Sequence, residues 1–324
     1  MMDAGNYDSK SAADNHTNKH ANNRPRVVVS SDIGGDDPDD FQSMVHYLVY
    51  ADLVETEALI SSPPYAGRKR DILETLGKYA EDYDSLKTWG HYPTYQELVN
   101  RTFQGRIDVG APGSEKETEG SDAIIDCALK DDPRPLYILV WGSITDLAQA
   151  LFDHHPIKEK IRVYSIGTWN TRQDPESRDY IYKNHKDLWW IESDETMRGM
   201  YMGGVQEGDL GNASFVQEHV AGHGALGDFY VEKKPVIKMG DTPSFLYIIS
   251  PIAAGVGNHD NPEEDSWGGR YKKDPHRPSY WTDDPDPELI ENGKRGAKTV
   301  NRWREAYLRD WQQRMDRCNT VYGD

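Results

Sequence analysis

From Arg26 onward the chain alternates short apolar runs with longer segments whose apolar residues recur every three or four positions. Val27-Val28-Val29 is apolar on both faces, the pattern of a strand inside a parallel sheet. Phe41, Met44, Val45, Leu48 and Val49 then fall on one helical stripe. The succession returns with a strand at Leu59-Ile60 and a helix over Asp71–Tyr83, in which Ile72, Leu73, Leu76 and Ala80 point inward. It continues with a helix over Ser121–Leu129, a strand over Leu136–Trp141, a helix over Ser143–Phe152 and a strand over Ile161–Ile166. Strands alternating with helices predict βαβ units, hence an α/β fold with a mainly parallel central sheet flanked by helices. Lys234–Met239 reads as a further strand, leading into the apolar segment Phe245–Ile249. Asn258–Pro287, polar and rich in Pro, Asp and Trp, reads as a long loop, and Lys298–Met315 as one amphipathic helix whose aromatic residues pack in the core. No Pro/Gly/Ser linker interrupts this order, so residues 25–324 form a single domain. Residues 1–24, which contain no Val, Leu, Ile or Phe, read as a disordered tail.

Composition narrows the choice of partner. With 37 Lys and Arg against 55 Asp and Glu, the formal net charge of the 324-residue chain is −18. That excludes a nucleic-acid backbone or an anionic membrane surface as the main partner, because both require a basic patch. It is compatible with a cation, a small molecule or an oligosaccharide, and with self-association. Nine Trp and 19 Tyr against six Phe supply flat rings with polar edges, suited to stacking on sugars. No apolar run is long enough for a transmembrane helix. The two cysteines, Cys127 and Cys318, lack metal-site spacing and read as buried small hydrophobes. No signal peptide is visible, which leaves the location open: secreted if the natural start was trimmed, otherwise cytoplasmic.

The candidate chemistry begins at Ser31–Asp40, where five of ten residues are Asp. They lie between an apolar strand and a helix, at the carboxyl edge of the expected sheet, where ligands bind in open α/β folds. Carboxylates crowded into one turn repel unless a cation neutralises them, and hard oxygen ligands suit Ca²⁺. The alternative is a solvated acidic loop with one Asp, Asp39 or Asp40, capping the helix. Asp241, in Gly240-Asp241-Thr242-Pro243-Ser244-Phe245, opens a second turn of this kind and also fits a helix cap. Trp141-Gly142-Ser143 is a strand end and tight turn, where the Trp141 carbonyl points beyond the sheet edge.

Together these elements resemble the nucleoside hydrolase fold. They are closer to a divergent branch, the nucleoside hydrolase-like domain of bacterial and fungal proteins once labelled cellulose-binding. Asp32–Asp40 is similar to that branch's Asp-Ile-Gly-Gly-Asp-Pro-Asp-Asp with one extra Asp. Arg198–Tyr201, Gly240–Phe245, Trp267–Tyr271 and Arg302–Ala306 match further motifs, over residues 26–316. The resemblance implies a Ca²⁺-dependent hydrolysis of a glycosidic bond to a ribose, by a metal-bound water whose proton passes to an Asp ligand. Carried over, Asp32 is the metal-ligating base, Asp39 and Asp40 the pair opening the helix, Trp141 a carbonyl ligand and Asp241 the late carboxylate. Ser30 and Gly240 stand where ordinary nucleoside hydrolases place Asp and His. The metal ligands are therefore kept while the sugar and leaving-group contacts are rebuilt.

Other site candidates follow from residue type. Glu119 and Asp122 flank a loop-to-helix turn that reaches the pocket or simply caps the helix. Asn170, Asn184 and Asp187 are candidate polar contacts, and Trp189 a stacking platform, since only one of two adjacent Trp in a strand faces a ligand. His223, between glycines, is a candidate leaving-group acid or a surface histidine; Trp267 and Arg270 form an aromatic wall with a donor, or a rigid loop. The expected function is a Ca²⁺-dependent glycoside hydrolase acting on a carbohydrate. The alternatives are a non-catalytic carbohydrate-binding protein on the same fold and a true nucleoside N-ribohydrolase.

Overall fold

The computed structural model describes residues 24–35 and 37–319, so the expected tail lies outside it apart from Arg24. Eight strands form one sheet: β1 (Arg26–Ser31), β2 (Glu55–Ser61), β3 (Thr102–Gln104), β4 (Leu136–Val140), β5 (Ile161–Ile166), β6 (Trp189–Ser193), β7 (Tyr271–Lys273) and β8 (Tyr280–Asp283). Their order is β3-β2-β1-β4-β5-β6-β8-β7, parallel throughout except for the β7/β8 pair. The chain thus starts in the middle, builds outward through β2 and β3, then returns to lay β4 beside β1. Between β1 and β4 the order reverses, and the crossover connections leave a crevice beyond the strand ends.

The helices in chain order are α1 (Asp39–Val49), α2 (Lys69–Leu86), α3 (Tyr95–Asn100), α4 (Glu119–Leu129), α5 (Thr145–Asp153), α6 (Trp169–Gln173), α7 (Pro175–Asn184), α8 (Asn212–His219), α9 (Gly224–Lys233), α10 (Thr242–Ala253), α11 (Ala297–Asn301) and α12 (Arg304–Asp316). They cover both faces of the sheet. Val27 and Val29 join the core built with α1, α2, α8, α9, α10 and α12, while Val28 points into the opposite core with α4, α5 and α7. This is why β1 reads as unbroken Val rather than alternating. Cys127 and Cys318 are both buried and free, as expected.

Three expected elements differ. Lys234–Met239 is not a strand. It lies along α1, where the Gln42 amide donates to the carbonyls of Lys234 (3.0 Å) and Val236 (2.8 Å) and accepts from the Lys238 N–H (3.0 Å). One side chain supplies the hydrogen bonds that a neighbouring strand would have given. Asn258–Pro287 is not one long loop, because β7 and β8 lie within it and extend the sheet. Tyr271, Tyr280 and Trp281 bury their rings there, and β8 meets β6 over only two registered pairs, too short to show as a period in the sequence. The last helix is interrupted at Arg302-Trp303, separating α11 from α12. α1 also begins one position differently: Pro38 occupies the cap, and Asp39 and Asp40 form the first turn.

Candidate functional site

The site occupies the carboxyl ends of β1 and β4. After β1 the chain turns through Asp32–Gly34, with Gly34 at φ 90°. Gly67 packs against the Ile33 carbonyl so closely that any side chain would collide. The backbones of β1 and β4 remain joined past the strands, by Trp141 N–H to the Ser30 carbonyl at 2.7 Å. Gly142 permits this approach: a Cβ there would lie 2.7 Å from the Asp32 nitrogen and 2.8 Å from its Cβ.

Four carboxyls converge. Oxygens of Asp39, Asp40 and Asp241 lie within 4.8 Å of one another. Asp32, outside that group, lines the same cavity and feels the charges of Asp40 and Asp39. Ser31 Oγ also donates to Asp40 and accepts from Ile33 N–H at 3.1 Å. Asp241 stands at the cap position of α10, yet its side chain makes no cap hydrogen bond; instead it accepts from Ser43 Oγ at 3.4 Å. The capping explanation for Asp241 therefore fails on geometry.

Burial and mutual repulsion raise all four groups. Burial, then the charges of Asp40 and Asp39, push Asp32 well above the usual carboxylate range. Burial, followed by Asp40, Asp39 and Asp32, does the same to Asp241. Asp39 rises to about 6 through burial and Asp37, against the opposing pull of Lys238 and Lys234. Asp40 rises to about 7 through burial and Asp39, opposed by hydrogen bonds from Ser31 and Asp32. The strongest neighbours of Asp32 and Asp241 are thus other carboxylates. Such a donor set, all hard oxygen and short of positive charge, fits a divalent cation such as Ca²⁺. The Trp141 carbonyl borders the same space and accepts from Asn170 Nδ2 at 2.5 Å, leaving its second lone pair.

Above this floor opens a cavity of ≈ 560 Å³. Of the expected residues, Asp32, Asp39, Asp40, Trp141, Asn170 and Asp241 line it. The others do not. Asn184 caps the end of α7 through the Tyr180 carbonyl (2.8 Å). Asp187 holds Lys158 (2.7 Å) in the turn before β6, on the opposite edge of the sheet. Trp189 packs in the core against Trp281 (5.1 Å between centroids), and Trp267 is 3% exposed and belongs to that core. Arg270 pairs with Asp284 (3.3 Å), and His223 with Asp316 on the last helix (3.2 Å). Glu119, near Lys69, and Asp122 sit on the first turn of α4, outside the lining. Aromatic or polar residue type nominated these side chains, but strand direction and core packing turned them elsewhere.

The sequence reading missed the walls. Trp169, 51% exposed, forms the lip with Tyr65, to whose hydroxyl its Nε1–H donates. Thr168 just before it has φ 57°, an unfavourable conformation for a β-branched residue, and is held by its N–H to Asp194 at 2.7 Å. Arg198, Tyr201, Lys234 and Lys238 form a basic wall. Gly240 faces the cavity with open space, the nearest atom to an added Cβ being Asp39 Oδ2 at 3.5 Å. Trp169 follows a strand end, the one sequence signal that could have found it, whereas Arg198 and Tyr201 stood in a matched motif that gave them no role.

The family model described as "Cellulose-binding Sde182, nucleoside hydrolase-like domain" matches residues 26–271. A structure from Saccharophagus degradans, a nucleoside hydrolase-related protein associated with carbohydrate metabolism, is similar at 27% identity and TM-score 0.73, covering 91% of this chain and 72% of that one. The plant nucleoside hydrolase PpNRh1 aligns at 13% identity and TM-score 0.51, over 90% and 99% of the two chains. The type III effector XopQ, solved with adenosine diphosphate ribose, aligns at 9% and 0.54, over 97% and 100%. Among curated proteins, sequence comparison finds no match.

Proposed function

The chain belongs to the cellulose-binding Sde182, nucleoside hydrolase-like family, and from that premise we propose that it is a Ca²⁺-dependent glycoside hydrolase acting on a carbohydrate. The observation that carries the reading is the meeting of Asp241 with Asp32, Asp39 and Asp40, 209 positions after Asp32, on the floor of one cavity. These four carboxylates and the Trp141 carbonyl would hold the ion. When bound, the ion would supply a ligated water of lowered pKa and an anchor for sugar hydroxyls. Asp32, buried on the floor beside Asp40, is the group that would accept that water's proton once the ion holds it ionised. Trp169 and Tyr65 offer flat faces at the lip for the apolar side of a sugar ring.

A specific observation favours the second reading, carbohydrate binding without turnover. Among the described residues lining the cavity there is no histidine to protonate a leaving group, and Gly240 leaves open space there. A panel of oligosaccharides and nucleosides, assayed with Ca²⁺ and with EDTA, separates the readings. Ca²⁺-dependent release of reducing sugar from an oligosaccharide supports hydrolysis. Ca²⁺-dependent binding without product supports the second reading, and turnover confined to nucleosides overturns the carbohydrate assignment.

A further inference from the structure

The cavity holds a second charged region that the metal reading does not use. Arg198 is half-buried on its wall, and Nη1 donates to the Tyr201 hydroxyl at 2.5 Å. Among the described residues it has no carboxylate partner, whereas Arg178, Arg270, Arg295, Arg309 and Arg314 each have one. Lys234 and Lys238 stand on the same wall and share one acid, Asp37.

The segment that carries Arg198 is fastened on both sides. Asp283, at the end of β8, accepts from the Glu195 and Thr196 N–H groups, both at 2.9 Å. The fully buried Arg304 donates to the Met200 carbonyl at 2.9 Å. Gly199 lies against the Ala297 carbonyl of α11 with no room for a side chain, and Met200 is in the core. The Arg-Gly-Met-Tyr motif is thereby explained: its inner residues lock the turn and its outer pair, Arg198 and Tyr201, faces the cavity. A guanidinium fixed in this way presents a planar fork that matches carboxylate or phosphate oxygens.

We propose that this wall recognises an oxyanion carried by the sugar, so that the ligand is an anionic glycoside, bearing a uronate carboxylate or a phosphate, rather than a neutral one. The inference rests on the carbohydrate reading above, in which the sugar lies over the acidic floor. A neutral sugar would leave the Arg198 fork facing Tyr201 alone.

The test is calorimetric titration in Ca²⁺ with matched pairs: methyl glucuronide against methyl glucoside, trigalacturonate against galactotriose, and ribose 5-phosphate against ribose. The expected result is an anionic member bound at least about tenfold more tightly than its neutral partner. Preference within the uronate pairs identifies a carboxylate, and preference within the ribose pair a phosphate. In Arg198→Gln, shown folded by its thermal melt, that ratio should fall to within about twofold of unity, with Arg198→Lys intermediate because it keeps charge but loses the fork. Equal affinity within every pair would overturn the inference and leave the carbohydrate reading standing. A preference that persists in Arg198→Gln would overturn it too, assigning the anion to the metal or the lysines. Calcium binding with no sugar bound at all would overturn both.

Discussion

Asp40 makes the residue-scale case. Its carboxyl, raised to about 7 by burial and by Asp39, keeps its proton in the folded chain at pH values where the unfolded chain has lost it. Folded protein therefore binds more protons than unfolded between the unfolded value near 4 and about 7. Over that window the stability of the metal-free protein falls as pH rises. In the proposed site Ca²⁺ would replace those protons and remove the repulsion. The melting temperature in excess Ca²⁺ minus that in EDTA should thus grow steadily from about pH 5.5 to 8; a difference independent of pH would show that the carboxyls are not the ligands. At a free Ca²⁺ one hundred times the dissociation constant, the gain should be about 2.7 kcal/mol. Asp241→Ala should weaken Ca²⁺ by at least about tenfold, roughly 1.4 kcal/mol, as read by titration, and parental affinity in this variant would dismantle the shared site. Asp32→Asn should lose turnover more than metal affinity, since an amide oxygen ligates but takes no proton. The acidic floor was legible because five Asp after a buried strand have few structural uses. Trp169 was not, because a single residue beyond a strand end has no period and no neighbours to reinforce it, and Arg198, although inside a matched motif, carried no sign of which way it faces. Trp267 misled because ring chemistry says nothing of which way a ring faces, and this one faces the core.

At the scale of elements, Gln42 substitutes for a missing strand. Its three hydrogen bonds hold Lys234–Met239, the segment that brings Lys234 and Lys238 to the cavity wall. Gln42→Ala would take from two carbonyls and one N–H of this half-buried segment the partner they have in the buried Gln42 amide. The expected cost is about 1–3 kcal/mol in urea unfolding, with faster amide exchange at Lys238. Unaltered exchange there would mean that the segment is held by something else. The same contact explains why the sequence suggested a strand: the segment is extended and hydrogen-bonded, but to a side chain. Where period and length agreed, as in α1, β4 and β5, element and type were both legible. Where they did not, as in β7 and β8, only pairing with the rest of the sheet determines the structure.

For the whole molecule, the order of the sheet decides what can meet. Because β4 lies beside β1, the turn after β1 faces the turn after β4, and α10 delivers Asp241 to the same crevice. No local pattern announces that meeting; only the resemblance of separated motifs did. The C-terminal helix contributes at a distance. Arg304, fully buried, donates to the carbonyls of Met200 (2.9 Å) and Leu210 (2.8 Å) and to Asn212 Oδ1 (2.7 Å), tying α12 to the turn that carries Arg198. Arg304→Ala strands three acceptors, at a cost of about 3 kcal/mol in chemical denaturation. A loss below about 1 kcal/mol would mean that solvent reaches and satisfies them.

The two flanks of the sheet have a consequence for how this protein behaves at high concentration. β3 and β7, the outermost strands, are each three residues long, and β7 exposes Lys272 and Lys273. An incoming strand from another molecule would find almost no ladder to extend, and at β7 it would have to bring its backbone past two ammonium groups. The long, apolar strands that would template aggregation are all interior. A protein with so large a β-sheet is in this way guarded against edge-to-edge fibre growth by the brevity and charge of the strands that end it.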